Sequence, residues 1–226
     1  MTSRVACVIP ALNASPTLGA VVAGLRDVLP EAFVVVIDDG SSDETHAIAS
    51  RVADAVHRFH PNRGKGAALR EGFAIALREG ADDIVTVDAD GQHDPAYAPA
   101  LVDALSDADV AIGARDRGSR EMPAGRRLTN TLSAAAVAHC IGHPVADAQS
   151  GYRALRARVV SDVRPQGDRY EFETEFLILA GRRGYRIAYV PVSTRYPGTI
   201  PSRFRPVRDS ARIVGTLWRF GMGARG

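Results

Sequence analysis

The sequence predicts an α/β fold, a mostly parallel central sheet flanked by helices, and three observations carry the prediction. Short β-branched, uncharged runs such as Phe33 to Ile37 and Ile84 to Val87 alternate with helical stretches that are apolar on one face. The runs end abruptly in carboxylates or glycine, as strands do at the carboxyl edge of an open sheet where ligands bind. Finally, 226 residues with 46% hydrophobic content are enough for one large domain, so no second domain is required.

In chain order, Arg4 to Ile9 forms the first strand and runs into Pro10-Ala11-Leu12-Asn13. Ser15-Pro16 then opens a helix with Leu18, Val21, Val22 and Leu25 on one face. The loop between them lacks Gly-x-Gly-x-x-Gly, which removes the main support for a dinucleotide-dependent or a sugar-nucleotide-forming enzyme, and no Walker sequence occurs. Phe33 to Ile37 is a second strand ending in Asp38-Asp39-Gly40-Ser41-Ser42-Asp43. Asp43 is placed to cap the next helix, and a carboxylate at Asp38 or Asp39 suits a nucleoside's ribose hydroxyls or base N–H groups.

Val56 to Phe59 is a short strand. The glycines and cations of Asn62-Arg63-Gly64-Lys65-Gly66 then precede a helix with Leu69, Phe73, Ile75 and Leu77, and read either as an anion-binding helix start or as a plain turn. Ile84 to Val87 leads to Asp88-Ala89-Asp90-Gly91-Gln92-His93-Asp94. Two carboxylates flanking a small residue, with a neutral oxygen from Gln92, suit Mg²⁺ or Mn²⁺, and the alternative is a polar turn whose Asp94-Pro95 caps a helix.

Pro95 to Leu105 is read as one helix and Val110 to Ile112 as a strand leaving at Arg115 into a charged loop that extends to Arg127, of the length lids have. Leu128 to Ile141 is a helix, and Asp147 to Arg153 a polar turn. Glu171 starts a helix through Ala180, its acids favourable to the helix dipole. Arg186 to Val190 and Val192 to Arg195 form a strand pair bent at Pro191. Val207 to Phe220 is an amphipathic helix that suits either the core or a membrane surface.

The net charge of +2 argues against general nucleic-acid binding. The charge is uneven, however: from Arg182 onward there are ten arginines and one acid, Asp209, a layout that suits a solvated face or an anionic partner such as phosphate or a membrane surface. The N-terminus lacks a signal-peptide layout and no apolar run approaches the ~18 residues that span a bilayer, so a cytoplasmic protein is expected. Cys7 and Cys140 are expected to be unpaired core residues.

Five of these motifs in this order, from Val8-Ile9-Pro10-Ala11-Leu12-Asn13 through Asp38-Asp39-Gly40-Ser41-Ser42-Asp43, Asn62 to Gly66 and Asp88 to His93 to Asp147-Ala148-Gln149-Ser150-Gly151-Tyr152-Arg153, together with Pro191 to Tyr196, resemble the family 2 glycosyltransferases of the GT-A fold. Within that family the chain is most similar to the dolichyl- or polyprenyl-phosphate sugar (mannose or glucose) synthases. The resemblance covers nearly the whole chain. It implies a single GT-A, Rossmann-like domain: residues 1–115 as a nucleotide-sugar-binding half, 116–206 as an acceptor-binding half, and 207–226 as a C-terminal amphipathic helix.

By the same resemblance, Pro10, Ala11, Asn13, Asp38, Asp39, Lys65, Asp88 and Ala89 hold a GDP- or UDP-linked sugar. Asp88, Asp90 and Gln92 hold Mg²⁺ or Mn²⁺ on its diphosphate, and Arg115 and Arg127 lie near the phosphates or acceptor. Where the family often has glutamate after the asparagine of the opening motif, this chain has Ala14. The implied reaction inverts the anomeric carbon, with Asp90, Asp147 and Arg115 as its catalytic residues. A polyprenyl phosphate acceptor is already anionic and needs no general base, and Arg203 and Arg205 suit it as a bidentate clamp. A hydroxyl acceptor needs a base, for which Asp147 or Glu173 is the candidate. A non-catalytic nucleotide-sugar-binding module is the more distant alternative. Membrane contact is expected to be peripheral or through a partner.

Overall fold

The computed structural model describes residues 3–115, 124–194 and 206–222, with the backbone alone in 124–129, 206–211 and 222. Strand β1 (Val5–Ala11) is followed by α1 (Leu18–Val28), β2 (Phe33–Asp38), α2 (Thr45–Val52), β3 (Ala55–Arg58) and α3 (Lys65–Arg78). Next come β4 (Asp83–Thr86), α4 (Ala98–Asp103), β5 (Val110–Arg115) and α5 (Ala124–Ile141). The chain continues through β6 (Arg153–Arg156), α6 (Ala157–Asp162), α7 (Glu171–Arg182), β7 (Ile187–Val192) and α8 (Pro206–Met222).

The strands form one seven-stranded sheet in the order β3-β2-β1-β4-β6-β5-β7. Every pairing is parallel except those of β6, which runs antiparallel to both β4 and β5. The chain builds outward from β1 to β3 and then returns to add β4 on the other side of β1, so the strand order reverses beside β1. A crevice opens at such a reversal, at the carboxyl ends of the strands. Because β6 is antiparallel, it brings its amino end to that crevice, and the loop before it therefore faces the loop after β4.

Strands β1, β2 and β4 are buried on both faces, which explains their unbroken apolar runs. Side chains alternate between two cores: Ala6, Val8, Val35 and Ile37 pack with α3 and α7, whereas Cys7, Ile9, Val34 and Val36 pack with α1 and α4. Cys7 is a free, fully enclosed thiol that burial pushes up to about 12. Cys140 is also free. The first core is tightened by Phe73, Phe172 and Phe176, whose ring centroids stand 6.2 to 6.3 Å apart. Helix α3 lies so close to β1 that a Cβ on Gly72 would meet Val8 Cγ1 at 2.2 Å.

Several elements differ from the sequence reading. The helix expected over 95–105 is a 3₁₀ turn at Pro95–Tyr97, the short α4 and a second 3₁₀ turn at Ala104–Ser106. Pro99 lacks the N–H that a continuous helix would donate to the Pro95 carbonyl. α1 begins at Leu18, beyond Ser15-Pro16. The two final strands are one, β7, running through Pro191. A proline is accommodated there because β7 is an edge strand with one unpaired side. Arg115 ends β5 instead of opening a loop, and α5 starts before Leu128. β6 and α6 were not anticipated: a four-residue strand with arginine at both ends has no apolar signature.

Gly72→Ala should overpack the α3–β1 contact and cost about 1–3 kcal/mol. Thermal melting would register this as a fall of roughly 2–4 °C per kcal/mol.

Candidate active site

Four loops meet at the carboxyl edge of the sheet, and the first two are sewn together by hydrogen bonds. Asn13 adopts a left-handed φ of 47°, which its short polar side chain tolerates. Its backbone N–H donates to Ser41 Oγ at 2.9 Å, and its Oδ1 accepts from the Ser42 backbone N–H at 2.7 Å. Asp39 N–H donates to the Ala11 carbonyl at 2.8 Å. Pro10 lies within β1, in register with Ile37. Ala14 is buried and donates its N–H to Thr45 Oγ1 at 2.7 Å, so the position where the resembled family often has glutamate offers no side-chain oxygen here. Asp43 accepts from the N–H groups of Ser15 and Thr45 and from the Thr45 hydroxyl. Burial works against its ionisation, but these bonds outweigh it and hold the carboxyl down at about 2.

The two acids ending β2 have internal partners. Asp38 is fully enclosed; its Oδ1 accepts from Ser41 N–H at 2.8 Å, and its Oδ2 lies 3.1 Å from Arg58 Nε and 3.5 Å from His46 Nδ1. It therefore builds the loop. Asp39 accepts from Asn62 Nδ2 at 2.7 Å, Arg63 N–H at 2.7 Å and Gly64 N–H at 2.9 Å. Burial raises its carboxyl in spite of these donors. The anion-binding reading of the Arg63-Gly64 turn is thus corrected in part: those two amides already cradle an anion, and it is the protein's own Asp39.

The loop after β4 supplies the acidic pair. Asp90 Oδ1 accepts from Gln92 N–H at 2.9 Å, Ala89 is buried with its carbonyl bonded to Thr17 Oγ1 at 2.6 Å, and Asp94 Oδ1 accepts from Ala96 N–H at 3.0 Å. The turn thus has capping geometry at Asp94, while Asp88, Asp90 and Gln92 remain part-exposed. His93 is buried against the Tyr152 ring, 5.2 Å between centroids, and its Nδ1 has no hydrogen-bond partner among the described residues. Burial pushes the imidazole down to about 4.

At the centre is Lys65, the chain's only lysine. Its Nζ lies 2.7 Å from Asp88 Oδ1 and 2.9 Å from Glu173 Oε1. Burial alone would lower the ammonium; the two carboxylates outweigh it and raise it, and burial of Asp88 is likewise outweighed by Lys65, which lowers that acid. Gly151 presses on this pair: a Cβ there would stand 2.7 Å from Asp88 Oδ2 and 2.9 Å from Lys65 Nζ. Thr86 Oγ1 donates to the Gly151 carbonyl at 2.8 Å. Beneath lies Arg153, buried and donating to the carbonyls of Ala148, Ser150 and Glu173. Across the crevice Arg115 forks onto Asp147, Nε to Oδ2 at 2.6 Å and Nη2 to Oδ1 at 2.9 Å. Asp147 also accepts from the N–H groups of Gln149 and Ser150. Against its burial, Arg115 lowers the Asp147 carboxyl.

The structure thus gathers Asp88, Lys65, Glu173, Arg115 and Asp147 around one crevice. Arg203, Arg205 and the side chain of Arg127 lie outside the described residues. Sequence reasoning gave no role to Arg153 and Gly151 and considered Glu173 as a dipole-favourable acid or a base, not as a partner of Lys65. Lys65 carried an anion-binding reading, but no local signal pointed to its carboxylate partners Asp88 and Glu173.

A family model described as "Glycosyl transferase family 2" matches residues 6–164. An undecaprenyl-phosphate mannosyltransferase of Micrococcus luteus is 33% identical over 237 residues, covering 98% of this chain and 96% of the relative. A polyprenol monophosphomannose synthase of Mycolicibacterium smegmatis is 34% identical over 212 residues, covering 85% and 77%. Among solved structures, the Mycobacterium tuberculosis glucosyl-3-phosphoglycerate synthase in complex with Mn²⁺, uridine diphosphate and phosphoglyceric acid shares this fold. Its TM-score is 0.76 at 22% identity, covering 96% of this chain and 78% of that one.

Lys65→Met should leave Asp88 and Glu173 facing each other without a cation and destabilise the fold by about 3 kcal/mol. Adding Glu173→Gln should return part of that loss in a denaturation double-mutant cycle; strictly additive losses would contradict the coupling. His93 gives a pH signature. With the folded imidazole held at about 4 against an ordinary 6.5, the unfolded chain takes up the proton first, so stability falls as pH drops through that window. At pH 5 the loss should reach about 2 kcal/mol relative to pH 7, and His93→Gln should abolish it in urea titrations at the two pH values.

Proposed function

Because the chain belongs to glycosyl transferase family 2, we propose that this glycosyltransferase moves a sugar from a nucleoside diphosphate sugar to a polyprenyl phosphate, with inversion at the anomeric carbon. The acceptor reading draws on the relatives named as undecaprenyl- and polyprenol-phosphate sugar enzymes, which align over most of their length. The observation that carries it is the state of the two carboxylates considered as bases. Asp147 is forked to Arg115 and Glu173 is paired with Lys65, so both already serve as ion-pair partners. A hydroxyl nucleophile would need one of them as a proton acceptor, whereas a lipid phosphate arrives deprotonated.

In this reading residues 1–115 bind the donor, 116–206 the acceptor, and 207–226 form the amphipathic helix. The end of β1 and the loops after β1 and β2 hold the nucleoside through Pro10, Ala11, Asn13 and Asp39, with Asp38 keeping the second loop in shape. Asp88, Asp90 and Gln92 are the residues to hold Mg²⁺ or Mn²⁺. Their donors are all oxygen, and among the described residues there is no group of three or more His, Cys, Asp and Glu that could hold an ion alone. An all-oxygen donor set suits a hard divalent cation. Bound there, the ion would act as a Lewis acid toward the departing diphosphate.

The chain's own residues supply the rest. Lys65, anchored by Glu173, can exchange Asp88 for a phosphate oxygen, bringing fixed positive charge to the leaving group. Arg115 and Asp147 form a clamp that an incoming phosphate can open by competing for the guanidinium. Arg127, Arg203 and Arg205 are proposed to complete the acceptor phosphate site. No described helix is long and apolar enough to cross a membrane. Contact with the lipid is read as peripheral, on the cytoplasmic face.

The test is turnover of UDP- and GDP-sugars with undecaprenyl phosphate in detergent, with and without Mg²⁺ or Mn²⁺. Lipid-dependent release of the nucleoside diphosphate should fall on the order of 10²-fold or more in Asp90→Asn. Release with saccharide acceptors only would replace the lipid reading, and donor binding without release under any condition would remove the catalytic one.

A further inference from the structure

Asp88 already carries a cation, and it is the protein's own: Lys65 Nζ stands 2.7 Å from its Oδ1. Mg²⁺ takes a carboxylate oxygen at about 2.0–2.1 Å. An ion on that same oxygen would face the ammonium at close range, and the two charges repel. The other oxygen is crowded by the Gly151 backbone, so closely that a Cβ there would stand 2.7 Å from Oδ2. Lys65, however, has a second place to rest. Its Nζ is 2.9 Å from Glu173 Oε1 and 5.9 Å from the centroid of the Tyr170 ring, both at the start of α7. Glu173 is the deeper of the two carboxylates, its side chain 6% exposed against 26% for Asp88. The ammonium can therefore leave Asp88 without losing every partner.

We propose that Lys65 is a latch on Asp88: paired with it, the lysine keeps a divalent cation out, and drawn back onto Glu173 and Tyr170 it lets one in. Lys65 is then a positioning residue, and Glu173 is the anchor that makes its retreat possible. A diphosphate favours the open position, because its oxygens take the place of Asp88 beside the ammonium. Whatever draws Lys65 off Asp88 must strengthen cation binding, and the cation must strengthen diphosphate binding by the same factor. Asp88 is thereby made available when donor arrives and is kept from free cation before it does. The proposal rests on the reading that Asp88 and Asp90 hold Mg²⁺ or Mn²⁺ on the donor's diphosphate.

Because Lys65 is the chain's only lysine, lysine labelled with ¹⁵N at Nζ gives one side-chain signal, and that signal reports the latch directly. The full chain is titrated with Mg²⁺, with UDP or GDP, and with both. Mg²⁺ alone should move the signal toward its position in Asp88→Asn, where the ammonium rests on Glu173. The nucleotide that binds should lower the Mg²⁺ required about tenfold. Glu173→Gln leaves Asp88 as the one carboxylate on the ammonium and should raise the Mg²⁺ required without nucleotide, again about tenfold. Melting checks the fold of both variants, and the wild-type titration needs neither. A signal that Mg²⁺ never moves, or an unchanged Mg²⁺ requirement in folded Glu173→Gln, would overturn the latch. Calorimetric titration with the same nucleotides separates the two readings. If Mg²⁺ tightens nucleotide binding and Asp90→Asn removes the gain while the Nζ signal stays in place, the metal site stands and the latch falls. If Mg²⁺ moves the signal but no nucleotide binds under any condition, the latch stands and the donor reading falls.

Discussion

The site depends on a lysine that the interior would not accept by itself. Desolvation favours a neutral amine at Lys65, and only the carboxylates of Asp88 and Glu173, 2.7 and 2.9 Å away, keep it charged. The dependence is mutual, because Glu173 has a side chain only 6% exposed and would be costly without its cation. One ammonium thereby ties the start of α3, the end of β4 and the first turn of α7. Arg153 reinforces the same junction from below, using carbonyls as acceptors where Lys65 uses carboxylates.

The sheet explains why these groups meet. Reversal of strand order beside β1 opens the crevice and directs the loops after β1, β2 and β4 toward it. β6 then does what a parallel strand could not. Running antiparallel between β4 and β5, it presents its amino end to the crevice, so the segment from Asp147 to Gly151 stands against Asp88. The absent side chain at Gly151 lets that segment approach, and the Thr86 bond to its carbonyl fixes the approach at the last residue of β4.

Around this centre most charge is neutralised internally. Asp39 is held by the amides of Arg63 and Gly64, Asp147 by Arg115, and Asp38 by Arg58. Groups arranged in this way are preorganised and remain exchangeable: a phosphate oxygen can replace a carboxylate on a guanidinium or an ammonium with little movement. Asp90 and Gln92 lie part-exposed on a turn that the Asp90 carboxylate closes by accepting from the Gln92 backbone N–H.

The sequence by itself determined the strands β1, β2 and β4 and the acids that follow them, because a strand buried on both faces must be apolar throughout and the chemistry must begin where it stops. The order of the loops was also legible, since each acid-bearing turn is contiguous in the chain. Only the tertiary structure decided the partners. Lys65 and Glu173 are 108 residues apart, and Thr86 and Gly151 are 65 apart, so no local pattern joins them. β6 was hidden for a related reason: its terminal arginines look like surface residues until the carbonyls that satisfy Arg153 are brought in from α7 and the preceding loop. Composition and periodicity record what each segment buries, whereas the pairing of charges across the crevice follows from where the sheet places its ends.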